Sequence, residues 1–140
     1  MRKYPIVLLA ISILSCSKNP EEHLEFIDGY WEIEKVIFTN GDVKAYKYNE
    51  TIDYIKIDDS LKGFRKKLKP GLNSKYITSQ DVEGITVKIE NDSLNLYYKT
   101  PYANWKETVL EANKNSLKVL NDRETIYLYK RYKPIELDIE

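Results

Sequence analysis

The sequence predicts an all-β protein: a small antiparallel up-and-down β-barrel of about eight strands, carried behind a removable leader and a short tether. Three observations carry that prediction. Short runs of β-branched and aromatic residues recur at close spacing between turn residues. Beyond the leader no stretch keeps a helical period, apart from one turn near Pro20. Almost every connection is too short for a crossover, which favours a meander, and closing a meander removes its exposed edges.

The 140 residues leave room for one domain, large enough to fold on its own core. The chain opens with Arg2 and Lys3, an apolar stretch over residues 6–14 broken only by Ser12, and small Ser15 before Cys16. This is the three-part pattern of a secretory leader. The apolar stretch is about half of the roughly 20 residues that a membrane-spanning helix requires. Ile13-Leu14-Ser15-Cys16 resembles a lipobox. The resemblance implies that residues 1–15 are removed, that the Cys16 thiol takes a diacylglycerol, and that its new amino terminus is acylated. Two or three acyl chains anchor stably where one holds only marginally. The expected location is therefore the envelope of a bacterium, lipid-anchored at the outer membrane. Cys16 is the only cysteine, so the mature domain holds no disulfide and depends on its core.

Residues 16–27 read as the lipidated cysteine and a tether. Pro20 followed by Glu21 and Glu22 suits the start of a short helix, with Leu24, Phe26 and Ile27 leaning on the domain. The only histidine, His23, falls here and reads as a solvated residue; with no second His and no free Cys it completes no metal site.

Residues 28–133 form the expected barrel domain and 134–140 a C-terminal tail. The first strand covers residues 30–39 and ends at Asn40-Gly41-Asp42, a strong hairpin signal. Strands follow over 43–48 and 51–58, with Asp58-Asp59-Ser60 as the next turn. Residues 61–81 show no clear strand and read as a variable loop or distorted hairpin. Residues 83–90 alternate, placing Ile85, Val87 and Ile89 on one face. Asn91-Asp92-Ser93 turns the chain into 94–99, where Leu94, Leu96 and Tyr98 share a face. Strands over 105–111, 116–120 and 124–132 complete the series.

Gly29-Tyr30-Trp31 opens the first strand just after the short helix, and looks like the Gly-x-Trp signature of the lipocalin superfamily. The resemblance implies that Trp31 closes one end of the barrel. It also implies that an Arg of the last strand packs across the Trp ring, and Arg131 stands at that place.

The mature chain carries 20 basic and 22 acidic residues, a net charge of −2 that gives no footprint for nucleic acid. Lys62, Arg65, Lys66, Lys67 and Lys69 crowd around Phe64 and Leu68. Such a run is usually solvated surface; the sharper reading makes Lys66 and Lys67 contacts for an acidic partner, a lipid phosphate or a surface polysaccharide. The 12 tyrosines suit a core with hydroxyls at its rim, or a cavity for an amphipathic ligand in which Tyr54, Tyr98 and Trp105 are candidate contacts. No nucleophile elbow, phosphate loop, dinucleotide fingerprint or calcium-loop spacing occurs. No catalytic residue, cofactor or metal is therefore expected, and enzymatic activity is not. The expectation is a monomeric, membrane-anchored protein that binds a small apolar or amphipathic molecule at the barrel mouth. The alternative is an envelope interaction protein whose filled barrel contacts another protein or a surface glycan.

Overall fold

The computed structural model describes residues 19–71 and 76–134, with side chains described outside 76–80. The leader, Cys16 and the tail from residue 135 lie outside the described residues. Helix α1 (Pro20–Leu24) starts where the proline and the acidic first turn suggest, with the Asn19 side chain accepting from the Glu21 N–H at 3.2 Å. Leu24, Phe26 and Ile27 pack against the barrel core. His23 does not fit the solvated reading: it is buried, and its Nδ1 accepts the Ala112 N–H at 3.2 Å. His23 lies in the last turn of α1, just ahead of the fully buried Ile27, so docking this segment on the barrel buries the histidine with it.

Among the described residues nine strands follow: β1 (Gly29–Ile37), β2 (Val43–Ala45), β3 (Ile52–Ile57), β4 (Lys62–Pro70), β5 (Tyr76–Glu90), β6 (Ser93–Lys99), β7 (Asn104–Ala112), β8 (Ser116–Asn121) and β9 (Ile126–Arg131). Consecutive strands from β3 onward pair antiparallel, β1 pairs β3, and β9 returns to β1, so eight strands close a barrel. Strand β2 is an extra piece that pairs only with the far half of β1, at Lys35 to Ile37. Of the two readings of residues 61–81, the distorted hairpin holds: β4 and β5 pair antiparallel, among the longest pairings in the sheet, with an irregular register between Lys66 and Leu68, and residues 72–75 lie outside the described residues. Alternation was hard to see there because cations occupy both faces of β4.

The connections sort to two ends. Helix α1 and the β3–β4, β5–β6 and β7–β8 turns lie at the end where β1 begins; Asn91 and Asp92, both with positive φ (49° and 61°), form the tight β5–β6 turn. Residues 38–51 and the β6–β7 and β8–β9 connections lie at the other end. The interior follows the two-residue period of each strand. In the half nearest α1 it is apolar and filled: Ile27, Trp31, Leu94 and Leu96 are fully buried, with Ile55, Val87, Leu117 and Val119 beside them. In the other half, buried Val36 and Ile52 are joined by buried charged side chains, Asp53, Arg65 and Glu107.

Candidate functional site

The filled end is sealed by the first and last strands together. Trp31 pairs with Arg131 in register, and the guanidinium lies 3.7 Å from the centre of the indole. The Trp31 Nε1–H donates to the Ile27 carbonyl at 2.8 Å. Arg131 donates to the carbonyls of Phe26 and Asp28 at 3.0 and 2.8 Å, and to those of Asn113 and Lys114 in the β7–β8 turn. Gly29 has φ +129°, and a Cβ there would collide with Arg131 Nη1, so both torsion and space require glycine. Burial lowers the Arg131 pKa, and the carbonyl contacts offset that cost by supplying acceptors.

Above this floor sits a charged layer. Arg65 (β4) is buried and makes a two-pronged ion pair with Glu83 (β5), Nε to Oε1 at 3.1 Å and Nη2 to Oε2 at 2.9 Å. Its Nη1 lies 3.6 Å from Glu107 (β7), and its guanidinium sits 4.4 Å over the Tyr98 ring. Tyr98 stacks on Trp105 with centroids 5.1 Å apart. Burial works against the Arg65 charge, yet Tyr98, Glu107 and Glu83 hold its pKa above the ordinary value. Burial pushes Glu107 above the usual carboxylate range, with Arg65 pulling the other way. Burial also raises the Tyr98 and Tyr129 hydroxyls, which stay neutral. Beside this cluster, Asp53 (β3) is buried and receives the Lys67 ammonium at 2.7 Å.

Two hollows open above the layer. One, of about 560 Å³, lies among Arg65, Lys67, Trp105, Glu107, Asn121 and Tyr127 and is rimmed by the β6–β7 and β8–β9 turns. The second, of about 410 Å³, lies beneath residues 46–51 and reaches Ile33, Val36, Ile52 and the upper side of Trp31. Lys67, Tyr127 and Tyr129 border both.

Of the residues singled out in the sequence, Trp105 and Lys67 border the larger hollow, while Tyr98 is buried outside both linings, stacked on Trp105 beneath Arg65. Tyr54 and Lys66 do not. They lie on the opposite face of β3 and β4, where Tyr54 stacks on Tyr30 at 4.7 Å and Lys66 stands over the Phe64 ring. Their odd-numbered neighbours Asp53 and Lys67 point inward, and the pleat sends the even positions out. Cys16 lies outside the described residues. Sequence reasoning missed Arg65, Glu83, Glu107, Asp53 and Tyr127. A period-two signal existed for Glu83, which shares the face of Ile85 and Val87, and for Glu107, which lies between Trp105 and Val109.

A closed antiparallel barrel, sealed at one end by a Gly-x-Trp strand start under a terminal-strand arginine and hollow at the other, defines a lipocalin-type architecture. The chain belongs to the lipocalin-like domain family, whose family model matches residues 27–119. Among solved structures it is similar to a lipocalin-like protein from Bacteroides uniformis ATCC 8492, with 7% identity and a TM-score of 0.47 over 75% of this chain and 97% of that one. It is likewise similar to an uncharacterized protein from Bacteroides eggerthii DSM 20697, with 10% identity and a TM-score of 0.47 over 75% of this chain and 98% of that one. No curated protein matches the chain.

Proposed function

We propose that this chain is a bacterial envelope lipoprotein, anchored through Cys16, whose barrel holds a small amphipathic molecule in the hollow half of its interior. The observation that carries the ligand reading is the division of the interior. One half is filled with apolar side chains, while the other carries two neighbouring open hollows of about 560 and 410 Å³, within the size range of small-molecule sites. Apolar walls at Ile33, Val36 and Ile52 meet polar walls at Lys67 and Asn121, which suits a molecule with two unlike ends. Members of this family are generally non-enzymatic binding proteins, and the charged layer is paired internally rather than poised on an open nucleophile.

The anchor reading rests on the leader pattern and on the place of α1. Because Pro20 begins a docked helix, only residues 17–19 separate it from Cys16, a reach of roughly 10–13 Å at about 3.3 Å per residue. The sealed end would then lie against the membrane, with the mouth turned away from it. Labelling cells with an acyl-chain precursor tests the anchor: wild type should take up label and Cys16→Ala should not. Purifying the protein under native conditions and identifying co-purified small molecules by mass spectrometry tests the ligand. A stoichiometric amphipathic molecule supports the reading. A protein that is empty and binds no amphipathic dye contradicts it and favours a display role for the barrel.

A further inference from the structure

We infer that the outer face of β3 to β7 is a binding surface for a linear acidic polysaccharide, laid across the strands over the Tyr97 ring and held by Lys62, Lys88, Lys99 and Lys106. None of these five residues borders either hollow, so the surface stands apart from the ligand site. The pleat turns Asp53, Arg65, Glu83 and Glu107 inward, and the positions between them point out. In the register pairs that join β3 to β7, those outward positions carry Lys56, Lys62, Lys66, Lys88, Lys99 and Lys106 against one carboxylate, Glu90. Glu90 sits at the sealed-end margin and accepts the Tyr97 hydroxyl at 2.9 Å, and Lys56 is paired with Asp28. Among the described residues the other five lysines have no salt bridge. The mature chain is net negative, so this face is a separation of charge, unlike a surface with both signs interspersed.

Two of these cations rest on aromatic rings instead of acids. The Lys66 Nζ lies 5.2 Å from the Phe64 ring centre, and the Lys88 Nζ 5.0 Å from that of Tyr97. Register sets Lys62, Thr86, Tyr97 and Lys106 side by side in one row across β4 to β7. The next row toward the mouth is Phe64, Gly84, Lys99 and Asn104, and the glycine leaves its middle without a side chain. A groove of about 480 Å³ lies along these rows, lined by Thr86, Lys88, Tyr97, Lys99, Asn104 and Lys106. Asp122 stands at its margin, its carboxylate accepting the Lys106 backbone N–H at 3.3 Å. With neighbouring strands about 4.8 Å apart, a row over four strands spans roughly 14 Å of curved wall. A flat bilayer touches a convex wall along one line, whereas a linear polymer bends with it. An acidic peptide joins a sheet through an open edge, and β3 to β7 have none because each is paired on both sides. Sugar units offer C–H faces to the Tyr97 ring, hydroxyls to Thr86 and Asn104, and acid groups to the lysines.

Calorimetric titration of the mature chain with an oligogalacturonate tests the surface against three other probes: a neutral maltooligosaccharide of equal length, phosphatidylglycerol vesicles and an oligothymidylate. The oligogalacturonate should bind, more weakly as salt rises because the cations are exposed, and the neutral sugar should not. Lys99→Gln combined with Lys106→Gln should weaken binding about 10-fold, the scale for two exposed charge contacts. Lys35→Gln combined with Lys118→Gln, on the outer face of β1 and β8, should leave it unchanged. Tyr97→Leu should weaken it about 3-fold, through loss of the ring face. No binding of the oligogalacturonate, or an equal loss in the Lys35 and Lys118 variant, would overturn the surface. Tighter binding of the vesicles or the oligothymidylate, or an unchanged affinity in Tyr97→Leu, would overturn the polysaccharide as its occupant. The ligand site stands under each of these results, since none of the substituted side chains lines a hollow.

Discussion

Arg131 is placed in the sequence by a motif, but the structure gives it a larger role than stacking on Trp31. A stacking contact alone is worth about 1 kcal/mol. The guanidinium also donates to main-chain carbonyls of Phe26 and Asp28, ahead of the first strand, and of the β7–β8 turn, tying α1 to the sealed end. Arg131→Ala should therefore cost about 2–3 kcal/mol in urea unfolding, the scale for hydrogen bonds from a charged donor. Arg131→Lys should recover less than half, because one ammonium cannot reproduce the planar fork. Trp31→Ala should cost about 3–5 kcal/mol, as large aromatic truncations in cores do. Gly29→Ala forces its Cβ onto Arg131 Nη1, so the Gly29→Ala and Arg131→Ala losses should fall short of additive in the double variant. Simple additivity would show that the glycine does not act through the arginine. The pair was legible because two side-chain types at the ends of the domain specify it. The carbonyl contacts were not, since any residue at Phe26, Asn113 or Lys114 supplies the same acceptor.

Among the elements, β4 shows where reading by composition loses information. Five cations around Phe64 and Leu68 look like solvated surface, yet the pleat divides them, sending Arg65 and Lys67 in and Lys66 out. Arg65 is stable inside because β5 and β7 bring Glu83 and Glu107 to it from a distance in sequence that no local pattern reveals. The strands with apolar alternation, such as β5 and β6, were legible for the opposite reason: each inward residue declares its face alone. The charged layer also has a pH signature. Burial raises the Glu107 pKa above its unfolded value, so between the two values the folded state binds more protons and stability falls as pH rises through that window. Glu107→Gln removes this loss, and Arg65 keeps its two bonds to Glu83. The variant should gain stability relative to wild type as pH rises through and above the ordinary carboxylate range. Chemical unfolding midpoints across that range check it; a parallel pH dependence in the two proteins would mean that Glu107 titrates as an ordinary surface carboxylate.

At the scale of the whole molecule, the barrel divides into a floor that closes it and an upper half that leaves space. The meander and its closure were legible from short turns and alternation, and so was the identity of the sealed end. The hollow was not, because a cavity depends on what opposite walls leave unfilled. Tyr127 on β9, Lys67 on β4 and Trp105 on β7 meet there from three strands. The same geometry supplies the most direct test of the account, which is amide and indole chemical-shift mapping of the isotope-labelled mature chain titrated with decanoate. The two tryptophans give separate indole signals, and Trp105 borders the larger hollow while the Trp31 N–H is bonded to Ile27 below the floor. Saturable shifts should appear at the Trp105 indole, at Lys67 and at Asn121, with the sealed-end turns at Asp58 to Leu61 and Asn91-Asp92 unmoved. Shifts confined to the sealed end or to the outer face at Tyr54 and Phe64, with Trp105 silent, would contradict a ligand site in the barrel interior.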